Sequence, residues 1–146
     1  MHMSDKHVAI EEKRSKIHID NEEHLAGFEK WLKGKGLSQK TINTHLSNTD
    51  FYINDYLGYD LLDVAQGCHR IDHFLGGWFI RKASWSSCAH IKSYAAGLKK
   101  FYAYLLELNV VDHEDYDVLC DTIKECMPEW LEEMRRYEDM LFKDYF

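Results

Sequence analysis

LSQKTINTHLSNTDFYINDYL, residues 37–57, decides the fold class. Ile42, His45, Leu46, Thr49, Tyr52, Ile53, Tyr56 and Leu57 recur at i, i+3, i+4 and i+7, the spacing that gathers side chains on one face of an α-helix. Ser38 stands where a helix needs an N-cap, because its hydroxyl can accept a bond from a backbone N–H that has no partner within the helix. Gly58 follows as the expected stop. Opposite Ile42 and Ile53 lie Lys40, Thr44, Ser47, Asn48, Phe51 and Asp55, with Asn43 at the edge. That outward set is polar except for Phe51, which packs under a neighbouring segment or serves as an exposed apolar contact. Its chemistry raises the question of what the helix touches.

The same periodicity extends in both directions. Before the stretch, a helix is expected over Lys6–Ile17. A second is expected from a capping-box spacing at Asp20 and Glu23, with Leu25, Phe28, Trp31 and Leu32 on its buried face. Gly34 or Gly36 ends it. After the stretch, YDLLDVAQG suits a short helix and CHRIDHFLGGWFIRK a longer one with a soft spot at Gly76–Gly77. SWSSCAHIKSYAAGLKKFYAYLLELN is a long helix capped by Ser86 or Ser87, with Ile91, Tyr94, Ala95, Leu98, Phe101, Tyr102, Leu105 and Leu106 inward. Asp112 is the expected N-cap of the next, whose acidic first turn suits the helix dipole. Pro128 is expected at the first position of a last helix that aligns Trp130, Met134, Tyr137, Leu141 and Tyr145. No strand-like alternation bounded by turn signals occurs, so the chain reads as all-α with six or seven helices.

Composition narrows the class. With 146 residues, 45% hydrophobic and a single proline, the chain can bury a core and has few helix breakers. No apolar run is long enough for a membrane span, and the first twenty residues lack the apolar region of a secretory signal. A cytoplasmic location with Cys68, Cys88, Cys120 and Cys126 as reduced thiols follows as the expectation. The net charge of −7 is unevenly placed: residues 30–104 hold ten Lys/Arg against five Asp/Glu, and residues 105–146 hold four against thirteen. An anionic partner for the middle, or an acidic tail that screens it, would explain such a division.

The helix after Ser86 has a second face of Lys92, Ser93, Ala96, Lys99, Lys100, Ala103 and Glu107. Ammonium groups suit phosphates, and small side chains allow a backbone to come near. A solvated surface face has much the same composition, so the residues alone leave both readings open.

Taken together, Gly36, Ser38, Thr41, Ile42, Tyr52 and Leu57, then Ala96, Leu98, Lys99, Phe101, Tyr102, Tyr104 and Leu105, resemble the N-terminal SAM-like core-binding domain of the tyrosine recombinase (phage integrase) family. The resemblance spans residues 22–108. It implies an orthogonal helical bundle that clamps one side of double-stranded DNA, with an N-terminal extension over 1–21. An acidic helical extension over 109–146 is expected to pack on the core. It further implies DNA contacts from Lys40, Thr41, Asn43, Thr44 and Asn48 on one helix, and from Ser87, His90, Lys92, Ser93, Lys99 and Lys100 on the other. The family cuts DNA with a separate catalytic domain that uses an HxxR motif and a tyrosine nucleophile. No His here is followed three residues later by Arg, and Tyr145 has no such company. No catalysis and no cofactor are therefore expected of this chain.

Two further constellations carry less. His69 and His73 share a helix face beside Cys68 and Asp72, but two histidines are too few for a structural zinc site, and no metal is expected. The acidic last helix is a docked core element, a surface for a protein partner or self-association, or a cover for the lysine face. An interaction module that kept the fold and lost DNA binding is thus the alternative reading.

Overall fold

In the computed structural model, which describes residues 3–145 and the side chains of residues 4–144, every regular element is helical. Among the described residues there is no strand, and no helix is long and apolar enough to cross a membrane. The chain divides into two compact units, Met1–Gly67 and Cys68–Phe146, a division that falls inside the stretch that the resemblance covers.

The first unit opens with α1 (Met3–Gly34), α2 (Gln39–Asp50), a π-helical segment Phe51–Tyr56, α3 (Leu57–Tyr59) and α4 (Val64–Gly67). α1 is one helix, not two. Ile17, Asn21, Phe28 and Leu32 are buried at helical spacing straight through Asp20–Glu23, so the buried stripe continues where a new start was expected. Asp20 and Glu23 are exposed residues within that helix. Gly36, at φ +75, supplies the left-handed turn after α1. Ser38 caps α2 as expected, with its Oγ accepting from Thr41 N at 3.2 Å.

α2, the π segment and α3 run on as one rod, in which Leu57 N donates to Tyr52 O across the widened turn. Gly58 lies inside that rod, which ends at Tyr59. Asn21 pins the widened turn from α1: its Nδ2 donates to Ile53 O at 3.3 Å and to Asn54 Oδ1 at 2.8 Å. The Tyr52 hydroxyl donates to Gly67 O at 2.6 Å and ties the rod to α4.

The second unit contains α5 (Ile71–His73), a π-helical segment Phe74–Trp78, α6 (Phe79–Lys82), α7 (Cys88–Glu107) and α8 (His113–Tyr145). The expected soft spot at Gly76–Gly77 is that π segment, where Phe79 N donates to Phe74 O. Phe74, Phe79 and Tyr94 form an aromatic cluster whose ring centroids lie 4.6–5.8 Å apart. α8 runs along α7 and buries Leu119, Trp130 and Met134. Its N-cap is Asp112, whose Oδ1 accepts from Asp115 N at 2.8 Å. Pro128 lies inside α8 rather than at a helix start. Proline in a helix interior removes one backbone bond, but a break there would separate Leu119 from Trp130 and Met134. Tyr145, assigned by periodicity to the same face, has its side chain outside the described residues.

Candidate nucleic-acid interface

The residues expected to meet DNA fall in both units, and each unit treats them differently. On α2, Lys40, Asn43 and Thr44 are exposed at i, i+3 and i+4. Their donors are not equally available. Thr44 Oγ1 donates back to Lys40 O at 3.0 Å, so its proton is already committed. Asn43 Oδ1 accepts from Gln39 Nε2 at 2.8 Å, which leaves its amide protons for an outside acceptor. Thr41, half-buried, accepts from Ser38 Oγ at 3.0 Å within the capping turn. Asn48 is only 8% exposed. It lies on the buried side of α2 together with Ile42, His45 and Thr49, so its amide is withdrawn from the outward set. The error is one of helical phase, since position 48 lies at the boundary between the two faces.

α7 keeps its expected faces apart. Ile91, Tyr94, Ala95, Leu98, Phe101, Tyr102 and Leu105 are buried. Lys92, Ala96 and Lys99 are exposed along one stripe, with Ser93 and Lys100 half-buried beside it. Ser87 is the N-cap, and its Oγ accepts from His90 N at 3.1 Å. The same oxygen lies 2.8 Å from His90 Nδ1. Either atom can be the donor in that contact, according to the ring's tautomer. His90 itself is exposed.

What surrounds the lysines matters as much as the lysines. No Asp or Glu occurs between Asp72 and Glu107, a stretch that carries Arg81, Lys82, Lys92, Lys99 and Lys100. Among the described residues no ion pair reaches Lys40, Lys92, Lys99 or Lys100. Three acids of α8 are paired elsewhere. Glu133 binds Arg81 at 3.0 Å and Arg136 at 2.9 Å, Glu132 lies 3.8 Å from Arg135 and Arg136, and Asp115 holds His69 at 2.8 Å. A cover of acid pairs over the lysine face, one reading of the sequence, does not occur among them.

Sequence reasoning passed over Lys82 and Trp85, which sit just before α7. Lys82 is exposed and Trp85 is 44% exposed. The acid-free stretch that contains them was the available signal.

Cys68 and His69 are both engaged by Asp115 within the second unit. His69, read as half of a two-histidine face, is taken up by Asp115, and that hydrogen bond holds the Asp115 carboxyl below the ordinary carboxylate value. Burial, helped by Asp115 and Asp112, pushes the Cys68 thiol up to about 12, so no thiolate nucleophile stands there at neutral pH. Comparison with protein-family models, with curated proteins and with solved structures returned no match.

Proposed function

We propose that the chain is a non-catalytic DNA-binding module of the SAM-like core-binding kind, acting in the cytoplasm on double-stranded DNA. One observation carries this reading. α7 presents Lys92, Lys99 and Lys100 in an acid-free stretch, without ion pairs among the described residues, although the strongly acidic α8 packs along the same helix. Lysines kept for solubility alone would gain by pairing with such a neighbour; unpaired ones are poised to release counterions from phosphates. On α2 the exposed Asn43 amide offers neutral donors of the kind that set register. Lys40, also on α2, offers the first unit a phosphate anchor of its own. No strand-cleaving step is assigned to this chain.

A mobility-shift titration with unrelated duplexes at about 50 mM salt tests the reading, because low salt strengthens phosphate contacts. A shift with every duplex supports it, and no shift with any sinks it.

A second reading, self-association, rests on Met140, Leu141 and Phe142, which are 53%, 39% and 64% exposed near the end of α8. Removing all of α8 is a poor test, since that also strips buried Trp130 and Met134 from the core. Truncation after Tyr137 spares them. Light scattering of a dimer that becomes a monomer on that truncation favours the second reading. A monomer in both cases excludes it.

A further inference from the structure

A cleft of about 830 Å³ lies within the first unit. One wall is α1, with Arg14, Ile17 and His18 at i, i+3 and i+4. The other is the end of the α2 rod, with Asp55, Gly58 and Tyr59 at the same spacing, and Leu61 beyond. The volume suits a small ligand.

Two features of the second wall are not explained by folding. Gly58 lies in a helix, where glycine is a poor choice, and its φ is not positive. A Cβ there would meet only Ile53 O, at an ordinary 3.6 Å. Neither a positive φ nor a close approach calls for glycine; without a side chain it leaves its own place on the cleft wall, in line with Asp55 and Tyr59, unfilled. Leu61, at φ 56, occupies the left-handed position after the helix end, where Leu62 N bonds Leu57 O at 3.0 Å. Asn109 fills the same position after α7, at φ 59, with a residue type that tolerates it. At Leu61 the chain accepts strain and thereby sets an apolar side chain on the cleft.

The polar groups are available. Among the described residues the Asp55 carboxylate has no hydrogen bond and no ion pair, while burial and nearby Asp50 push its carboxyl above the ordinary value. Tyr59 is 82% exposed, an unusual position for a large ring. Arg14 is paired with Glu11 at 2.7 Å, but both side chains are half exposed, and such a pair yields readily to a better anion.

We propose that this cleft binds a guanine nucleotide: the base enters the gap over Gly58 and stacks on Tyr59, Asp55 accepts its paired N–H donors, and Arg14 with His18 holds the phosphate. The choice of base follows from donor and acceptor order. A carboxylate offers two acceptors side by side. Guanine matches them with N1–H and N2–H. Adenine and cytosine place an acceptor beside their amino group, and uracil flanks its single N–H with two carbonyl oxygens.

The test is calorimetric titration of the full chain with GMP, AMP, CMP and UMP, each to about 1 mM, where any binding worth the name is visible. GMP binds saturably, and the other three bind at least about tenfold more weakly, as a bidentate contact requires. Asp55→Asn abolishes the preference for GMP. Gly58→Ala lowers GMP affinity about fivefold or more, as loss of a stacking contact does, while the melting temperature holds or rises. The inference is overturned by no saturable GMP binding, by equal binding of AMP, by an Asp55→Asn protein that still prefers GMP, or by Gly58→Ala binding GMP as the parent does. No duplex takes part, so either result leaves the DNA reading untouched.

Discussion

Gly76 and Gly77 are neighbours in sequence and do opposite things. A Cβ on Gly76 would come within 2.9 Å of Trp130 Cδ1 and 3.1 Å of Asp72 Oδ1, the pair joined by a 2.7 Å bond from the indole nitrogen. Trp130 is 1% exposed and has no room to retreat. Gly76→Ala should therefore cost about 1–3 kcal/mol by overpacking. On Gly77 the same Cβ meets only Arg81 Nη1 at 3.7 Å, so Gly77→Ala should gain up to about 1 kcal/mol of helix propensity. Urea unfolding of the two variants separates them. The sequence marks both as a soft spot, but which glycine is needed depends on Trp130, more than fifty residues away. His24 gives a pH signature. Burial lowers its pKa against the raising influence of Asp20 and Glu23. Below the ordinary value of 6.5 the unfolded chain therefore binds more protons than the folded one, and stability falls as pH drops from 6.5 toward the depressed value. His24→Gln should flatten melting temperature against pH in that window. Asp115, held low by His69, has the same sign in the acid range, losing its contribution as pH falls below 3.8.

At the scale of elements, what was legible was local. Ser38, Ser87, Asp112 and Gly36 mark helix ends because a cap involves only three or four consecutive residues. The π segments were not legible, since an i, i+3, i+4 pattern reads the same through a widened turn. Asn21 shows how the fold accommodates one of them: at 2% exposure it bonds Ile53 O and Asn54 inside the first unit. Asn21→Ala should cost about 1–3 kcal/mol, the penalty for groups left buried without partners. By contrast residues 4–16 are exposed throughout, and removing residues 1–12 should shift stability by no more than about 0.5 kcal/mol. Thermal melts of both proteins decide whether Asn21 or the start of α1 anchors that helix. The capping-box spacing at Asp20 misled because such spacings also occur by chance on an exposed helix face. Pro128 misled because burial of Leu119, Trp130 and Met134 outweighs a proline's preference for helix starts.

At the scale of the whole molecule, the all-α class was legible from periodicity alone, and the division after Gly67 was not, because no linker-like composition marks it. Of the proposed interface, the lysine face of α7 could be read from spacing, whereas the burial of Asn48 and the committed proton of Thr44 required coordinates. The net charge of −7 argues against DNA only if charge is taken as an average; locally, the residues from His73 to Leu106 contain no acid at all. The central claim is that Lys92, Lys99 and Lys100 neutralise phosphates. It is tested most directly by fluorescence anisotropy with a labelled duplex across a salt series, comparing the parent chain with the Lys92→Ala, Lys99→Ala, Lys100→Ala triple variant. The account predicts that log K falls linearly with log salt, and that the variant binds more weakly with a slope flatter by roughly 0.9 for each lysine that had met a phosphate. No binding at low salt, or an identical slope in parent and variant, would contradict it.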